Sequence, residues 1–192
     1  MNVSTGDFKK GLKLLINNEP HVILDFEHYK PGKGNQFTRT KLKNLITGKN
    51  IDRTIKSGEK YIVPDIEYAD TTYLYKDASS FVFMDQTSYE QISIDTKLIA
   101  ENIDFLVENL PVNICFFQNK AINIELPASV DLKVTYTEPG LKGDTVSGAT
   151  KPATLETNLT LQVPLHIANG DILKINTKNR EYIEKVSTKK NE

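Results

Sequence analysis

The sequence predicts an all-β protein made of three small β-barrels in a row. Three observations carry this. Apolar and polar residues alternate with period two through runs rich in β-branched and aromatic residues, the pattern of half-buried strands. Gly, Pro, Asn and Asp interrupt those runs at short intervals, as tight turns require. The character of the sequence shifts near Pro64 and again near Pro127, leaving segments 1–64, 65–128 and 129–192, each about the size of the smallest units that fold alone. With 39% hydrophobic and 26% charged residues, the chain can fill real cores, unlike disordered sequences.

In the first segment, strands are expected at 13–16 and 21–28 around a turn at Asn17 to Pro20, then at 36–45 after a Pro/Gly tip, and at 50–55. Along 36–45, Phe37, Arg39, Lys41 and Lys43 fall on one face and Thr38, Thr40, Leu42 and Asn44 on the other. Strands this short curl readily into an SH3-like barrel. The second segment opens with a hairpin, 71–76 and 80–85 around Asp77 to Ser79, in which Tyr73, Tyr75, Phe81 and Phe83 alternate as core residues. A strand at 89–94 follows. Ile99, Ile103, Leu106, Val107 and Leu110 recur at helical spacing up to Pro111, which predicts a helix, and strands at 112–118 and 121–126 close the segment. Three strands, a helix and two strands is the order of an OB-fold. The third segment repeats the theme with strands at 130–137, 159–165, 172–177 and 182–186. Its stretch 138–158 reads as one long polar loop, and loops of that length are often functional.

The net charge of −1 conceals a division. Segment 1–64 carries 12 Lys+Arg against 6 Asp+Glu, segment 65–128 carries 3 against 11, and segment 129–192 carries 9 against 8, giving +6, −8 and +1. Attraction to a nucleic-acid backbone is therefore expected of the first segment alone. OB-type barrels commonly bind single strands on aromatic platforms, so a free RNA-binding or RNA-chaperone protein is a second reading. The barrel rich in aromatic residues is the acidic one, which argues against it.

No catalytic residue, metal or cofactor is expected. His21, His28 and His166 lack metal-ligand spacing, and Cys115, the single cysteine, sits in an apolar run that would raise rather than lower a thiol pKa. The carboxylates of the middle segment are dispersed as on a solvated acidic surface, which leaves a small hydrolase without an assembled nucleophile and base. One cysteine permits no internal disulfide, and no run approaches the ~18 apolar residues that span a bilayer. A cytoplasmic protein with no membrane partner is the expectation.

The most distinctive segment is Lys30-Pro31-Gly32-Lys33-Gly34, joining two strands that should pair. Pro31 stiffens the approach, while Gly32 and Gly34 have no side chains to shield Lys33 and can adopt positive φ. An amine held so could enter a narrow cavity. A phosphate-binding loop is ruled out, since G-x-x-x-x-G-K-[ST] is absent and Phe37 stands where G-x-G-x-x-G needs its third glycine.

Three blocks together resemble bacterial elongation factor P along the whole chain. They are the tip with Phe37, Arg39, Lys41 and Leu42; Thr72-Tyr-Leu-Tyr-Lys-Asp77; and Glu138-Pro-Gly-Leu-Lys-Gly-Asp-Thr145 running on to Lys151-Pro-Ala-Thr154 and Val163-Pro-Leu165. The resemblance implies an SH3/KOW-like barrel followed by two OB-folds in an extended, tRNA-like L. It implies a monomeric factor that binds the 70S ribosome between the peptidyl-tRNA (P) and exit (E) sites and relieves stalling at consecutive prolines. By the same resemblance Lys33 reaches the peptidyl-tRNA end and is the substrate of a lysine-modifying enzyme, for example by beta-lysylation. Lys30, Pro31, Gly32 and Gly34 support it, Arg39, Lys41 and Lys43 contact RNA, and Gly143, Asp144 and Thr145 contact the ribosome or the exit-site mRNA codon. A specialised paralogue is the alternative within the family, though such tips typically depart from Lys-Pro-Gly-Lys-Gly. Asn158 stands where the family usually has glycine; Asn tolerates the left-handed region best among the other residues, so the same turn is expected.

Overall fold

A computed structural model describes residues 1–32, 34–140 and 148–186. Among them the chain forms β1 (Asn2–Ser4), β2 (Lys13–Ile16), β3 (Glu19–Tyr29), β4 (Phe37–Asn44), β5 (Asn50–Lys56), β6 (Lys60–Ile62), β7 (Ile66–Lys76), β8 (Ser80–Asp85), β9 (Gln91–Asp95), β10 (Pro111–Phe117), β11 (Lys120–Glu125), β12 (Ser129–Thr137), β13 (Thr150–Leu155), β14 (Thr160–Pro164), β15 (Ile172–Asn176) and β16 (Glu181–Lys185), with 3₁₀ turns at Thr5–Asp7 and Ala100–Phe105. The sheet orders are β2-β3-β4-β5, β1-β6, β11-β10-β7-β8-β9 and β14-β13-β12-β15-β16. The all-β expectation holds. By its contacts the chain divides into two compact units, 1–69 with 114–123, and 70–113 with 124–192.

In the first unit, Asn17 and Asn18 both have positive φ (51° and 62°), the two-residue geometry whose twist matches a hairpin, and they join β2 to β3. Alternation along β4 buries Thr38, Thr40, Leu42 and Asn44, as the sequence pattern predicts. Leu14, Ile16, Ile23, Leu42 and Ile55 form the core with Val3 and Phe8. Gln118 and Asn119, with φ of 51° and 60°, make the equivalent turn between β10 and β11. Cys115, Phe117 and Ile122 of that hairpin are buried against Leu15, Leu45, Ile46 and Ile66.

The second unit corrects three expectations. The predicted helix is a 3₁₀ segment of six residues followed by turns: Asn102 N–H donates to Ile99 O at 2.8 Å, Leu106 to Ile103 at 3.1 Å and Leu110 to Val107 at 3.1 Å. Helical spacing picked out the buried Ile99 and Leu106 and the half-buried Ile103, Val107 and Leu110 but passed over the buried Phe105; Asn, Ile, Asp, Phe and Val are poor helix formers, and Asn109 takes a φ of 67° that ends any regular turn. Inside the supposed loop 138–158 lies β13. Its Pro152 pairs with Gln162 of β14, whereas pairing to β12 starts one residue later at Ala153, so no ladder hydrogen bond is asked of the proline. Finally, a register shift between Tyr73 and Tyr75 leaves Tyr75 exposed while Tyr73, Phe81 and Phe83 are buried.

Asn158 adopts the expected left-handed conformation, φ 67°, its N–H donating to Leu155 O at 2.9 Å. The 3₁₀ segment also delivers Phe105 into one buried cluster with Val130, Leu132, Leu161, Leu173 and Ile175 of the last sheet. Arg180 caps it, with its guanidinium 5.4 Å from the Phe105 ring centroid, 2.9 Å from Asp104 and 2.7 Å from the Glu101 carbonyl oxygen.

Candidate functional site

The β3–β4 hairpin is the longest paired ladder of the first unit, running from His21↔Asn44 to Tyr29↔Phe37. A bulge between Ile23 and Asp25 resets the alternation, so that Asp25 faces Lys41, Glu27 faces Arg39 and Tyr29 faces Phe37. Across β4 the same rows continue to Asp52, Thr54 and Lys56 of β5, and Lys43 faces Asn50. Arg39, Lys41 and Lys43 therefore share one face, as period two predicts. That face is not purely basic, because Asp25, Glu27 and Asp52 stand directly opposite its cations. An open groove of about 410 Å³ runs over it, lined by Asp25, Glu27, Arg39, Lys41, Asp52 and Arg53 among others.

The carboxylates are held by near neighbours. Lys10 Nζ lies 2.9 Å from Asp25, and this hydrogen bond, helped by the Phe26 N–H and the field of Lys41, holds the Asp25 carboxyl below the usual range. Tyr29 donates its hydroxyl to Glu27 at 2.6 Å, which raises the phenol pKa. At the end of the ladder the Tyr29 and Phe37 rings are stacked, centroids 5.2 Å apart and planes 12° apart. The Arg39 guanidinium lies over the Tyr29 ring, 4.7 Å from its centroid. On the opposite face His28 Nδ1 and Thr38 Oγ1 are 2.8 Å apart.

From the last rung the chain passes through exposed Lys30, Pro31 and Gly32. Lys33 lies outside the described residues. Gly34 has a φ of 115°, open to glycine and strained for other residues, whereas Gly32 does not use the left-handed region. Of the two glycines free to adopt positive φ, Gly34 alone does so. Gly143, Asp144 and Thr145 also lie outside the described residues. At the flank of that segment, Lys151 is buried and donates to the Glu138 carbonyl at 2.6 Å, and a Cβ on Gly140 would come within 2.8 Å of the Leu165 carbonyl oxygen.

Sequence reasoning missed Tyr29, Glu27, Asp25 and Asp52. Period two assigns faces within one strand; it does not show which residues of a neighbouring strand stand opposite. Among the described residues no group of three or more His, Cys, Asp and Glu side chains is placed to hold a metal ion. No helix among them is long and apolar enough to cross a membrane.

Three family models match in succession: the elongation factor P KOW-like domain at residues 4–61, the elongation factor P OB domain at 66–124, and the elongation factor P C-terminal domain at 130–185. Elongation factor P of Bdellovibrio bacteriovorus is 52% identical over 185 residues, covering 96% of this chain and 98% of that protein. Elongation factor P of Mycobacterium avium is 48% identical over 184 residues with the same coverage. Among solved structures, a eukaryotic-type translation initiation factor 5A from Methanococcus jannaschii is similar in fold, with TM-score 0.51 and 22% identity, covering 66% of this chain and 92% of that one.

Proposed function

This chain belongs to the elongation factor P family and is a translation elongation factor, and from that premise we propose that it binds the 70S ribosome between the P and E sites and accelerates peptide-bond formation at consecutive prolines. The observation that supports this most is the intact Lys30-Pro-Gly-Lys-Gly34 tip at the end of a two-strand stalk paired out to Tyr29↔Phe37. Proline is a constrained nucleophile, so ordering the peptidyl-tRNA end lowers the barrier through orientation, without an acid, base or nucleophile on the factor. In this reading Lys33 does the ordering, with Lys30, Pro31, Gly32 and Gly34 as its support, and is the site an enzyme lengthens. The factor works as a cytoplasmic monomer of three barrels, 1–64, 65–128 and 129–192. The test is reconstituted translation of a Pro-Pro-Pro template: added factor raises the rate of full-length synthesis there and leaves a proline-free template unchanged. Equal effects on both templates would refute the reading.

The first barrel, including Arg39, Lys41 and Lys43, supplies the electrostatic attachment to tRNA phosphates. Replacing all three by Ala is expected to weaken ribosome binding and to flatten the plot of log affinity against log salt by about one for each phosphate no longer neutralised. Titrations at several potassium concentrations measure both quantities, and unchanged affinity and slope would remove these residues from the interface.

Gly143, Asp144 and Thr145 form the contact at the exit-site end, to the ribosome or the mRNA codon. Deleting residues 144–148 should reduce the stimulation of Pro-Pro-Pro synthesis while the melting of the last sheet is unchanged. Full stimulation by the deletion variant would make this a tolerated surface loop.

A further inference from the structure

We propose that Tyr29, Phe37 and Arg39 form a splint across the root of the tip, so that Arg39 is a positioning residue for Lys33 as well as a positive charge. The proposal rests on the reading of Lys33 as the working side chain. Four side chains on one face of β3 and β4 make a two-by-two grid: Glu27 opposite Arg39 and, one rung further out, Tyr29 opposite Phe37. Three contacts tie it together, two between the strands and one along β3. The two rings stack at 5.2 Å, the guanidinium covers the Tyr29 ring at 4.7 Å, and the Tyr29 hydroxyl bonds Glu27 at 2.6 Å.

The location gives these contacts their function. Tyr29↔Phe37 is the last registered pair before the tip, and the strand ends there would otherwise fray. A flat stack resists rotation of one strand end against the other, and a cation over the ring adds attraction without adding a flexible arm. The direction in which Lys30 leaves β3 is then set by rigid planar groups. Arg39 is suited to this because a planar guanidinium stacks by its face while its in-plane N–H groups remain available to a phosphate or carboxylate.

Charge and splint separate experimentally. Tyr29→Leu removes the ring without changing any charge, Tyr29→Phe keeps the stack and removes only the hydroxyl with its bonds to Glu27 and Arg39, and Arg39→Lys keeps the charge and removes the plane. In the full-length protein, Tyr29→Leu is expected to keep the wild-type salt slope and half-saturating concentration, and Arg39→Lys to keep the wild-type salt slope. Their Pro-Pro-Pro rate at saturating factor should fall about fivefold or more, since small misplacements of a reacting group cost that much. Tyr29→Phe should run close to wild type. Amide hydrogen exchange at Glu27, Tyr29, Phe37 and Arg39, the last rungs of the β3–β4 ladder, should quicken in Tyr29→Leu and Arg39→Lys, and not in Tyr29→Phe.

Wild-type exchange in both Tyr29→Leu and Arg39→Lys overturns the splint. So does a wild-type saturating rate in both, provided that Lys33→Ala is slow in the same assay. If Lys33→Ala is itself fast, the reading of Lys33 fails instead, and exchange alone decides whether the root of the tip is held by the stack.

Discussion

Replacing Lys33 by Ala is expected to lower the rate of Pro-Pro-Pro synthesis at saturating factor about tenfold or more, toward the rate without factor, while ribosome affinity and folding change little. The magnitude follows from the mechanism. A factor that acts by orienting peptidyl-tRNA contributes nothing to the chemical step once the orienting group is gone, and orientation effects span several orders of magnitude. Folding should be spared, because the residues on either side, Lys30 to Gly32 and Gly34 to Gln36, are exposed and add nothing to the core of Leu14, Ile23, Leu42 and Ile55. Affinity should be largely spared because one charge among the 12 cations of residues 1–64 is removed. Lys33→Arg keeps charge and reach but cannot accept a lysine-specific extension. Rates near wild type from it would assign the effect to charge and reach, and rates near those of Lys33→Ala would assign it to the modification. Peptide mapping of residues 30–39 from the native host identifies any added group. A wild-type rate from Lys33→Ala would remove the tip from the mechanism.

How well the sequence could be read differed from element to element, for physical reasons. Hairpins were legible because turn chemistry and alternation are local: Asn17-Asn18 between β2 and β3, and Asp77 N–H closing on Ser80 O at 2.8 Å between β7 and β8. Arg39, Lys41 and Lys43 were placed on one face for the same reason. What depends on a partner strand was hidden. Asp25 opposite Lys41 depends on a bulge at Leu24, and β13 was missed because Pro152 is a strand breaker unless its pairing partner is known. β1 and β6, three residues each, carry too little periodicity to register and exist because they pair with one another. Within the candidate site, the tip and its basic strand were visible, whereas the Tyr29–Phe37–Arg39 stack was not, since it needs the β3–β4 register.

The same distinction explains the second large effect. Helical spacing picked out Ile103, Leu106 and Val107 and passed over Phe105, yet Phe105 is 1% exposed and belongs to the core cluster of β12 to β15. Phe105→Ala is expected to destabilise the unit of residues 70–113 and 124–192 by about 3–5 kcal/mol, combining reduced transfer energy with a cavity that the surrounding strands fill only in part. Against a total of roughly 5–15 kcal/mol for a domain, that is a large share. Arg180→Ala is the control. It removes the cation over the ring and the 2.9 Å pair with Asp104, but both partners are about 40% exposed, so the effect should stay near the ~0–1 kcal/mol of surface ion pairs. Urea unfolding of the full chain measures both variants. Native-state hydrogen exchange should add a qualitative difference: the shared core makes β8–β9 and β12–β16 open together in the wild type, whereas in Phe105→Ala the last sheet opens at lower free energy than β8 and β9. A destabilisation below about 1 kcal/mol for Phe105→Ala, or separate opening already in the wild type, would show that the 3₁₀ segment rests on the last sheet without sharing its core.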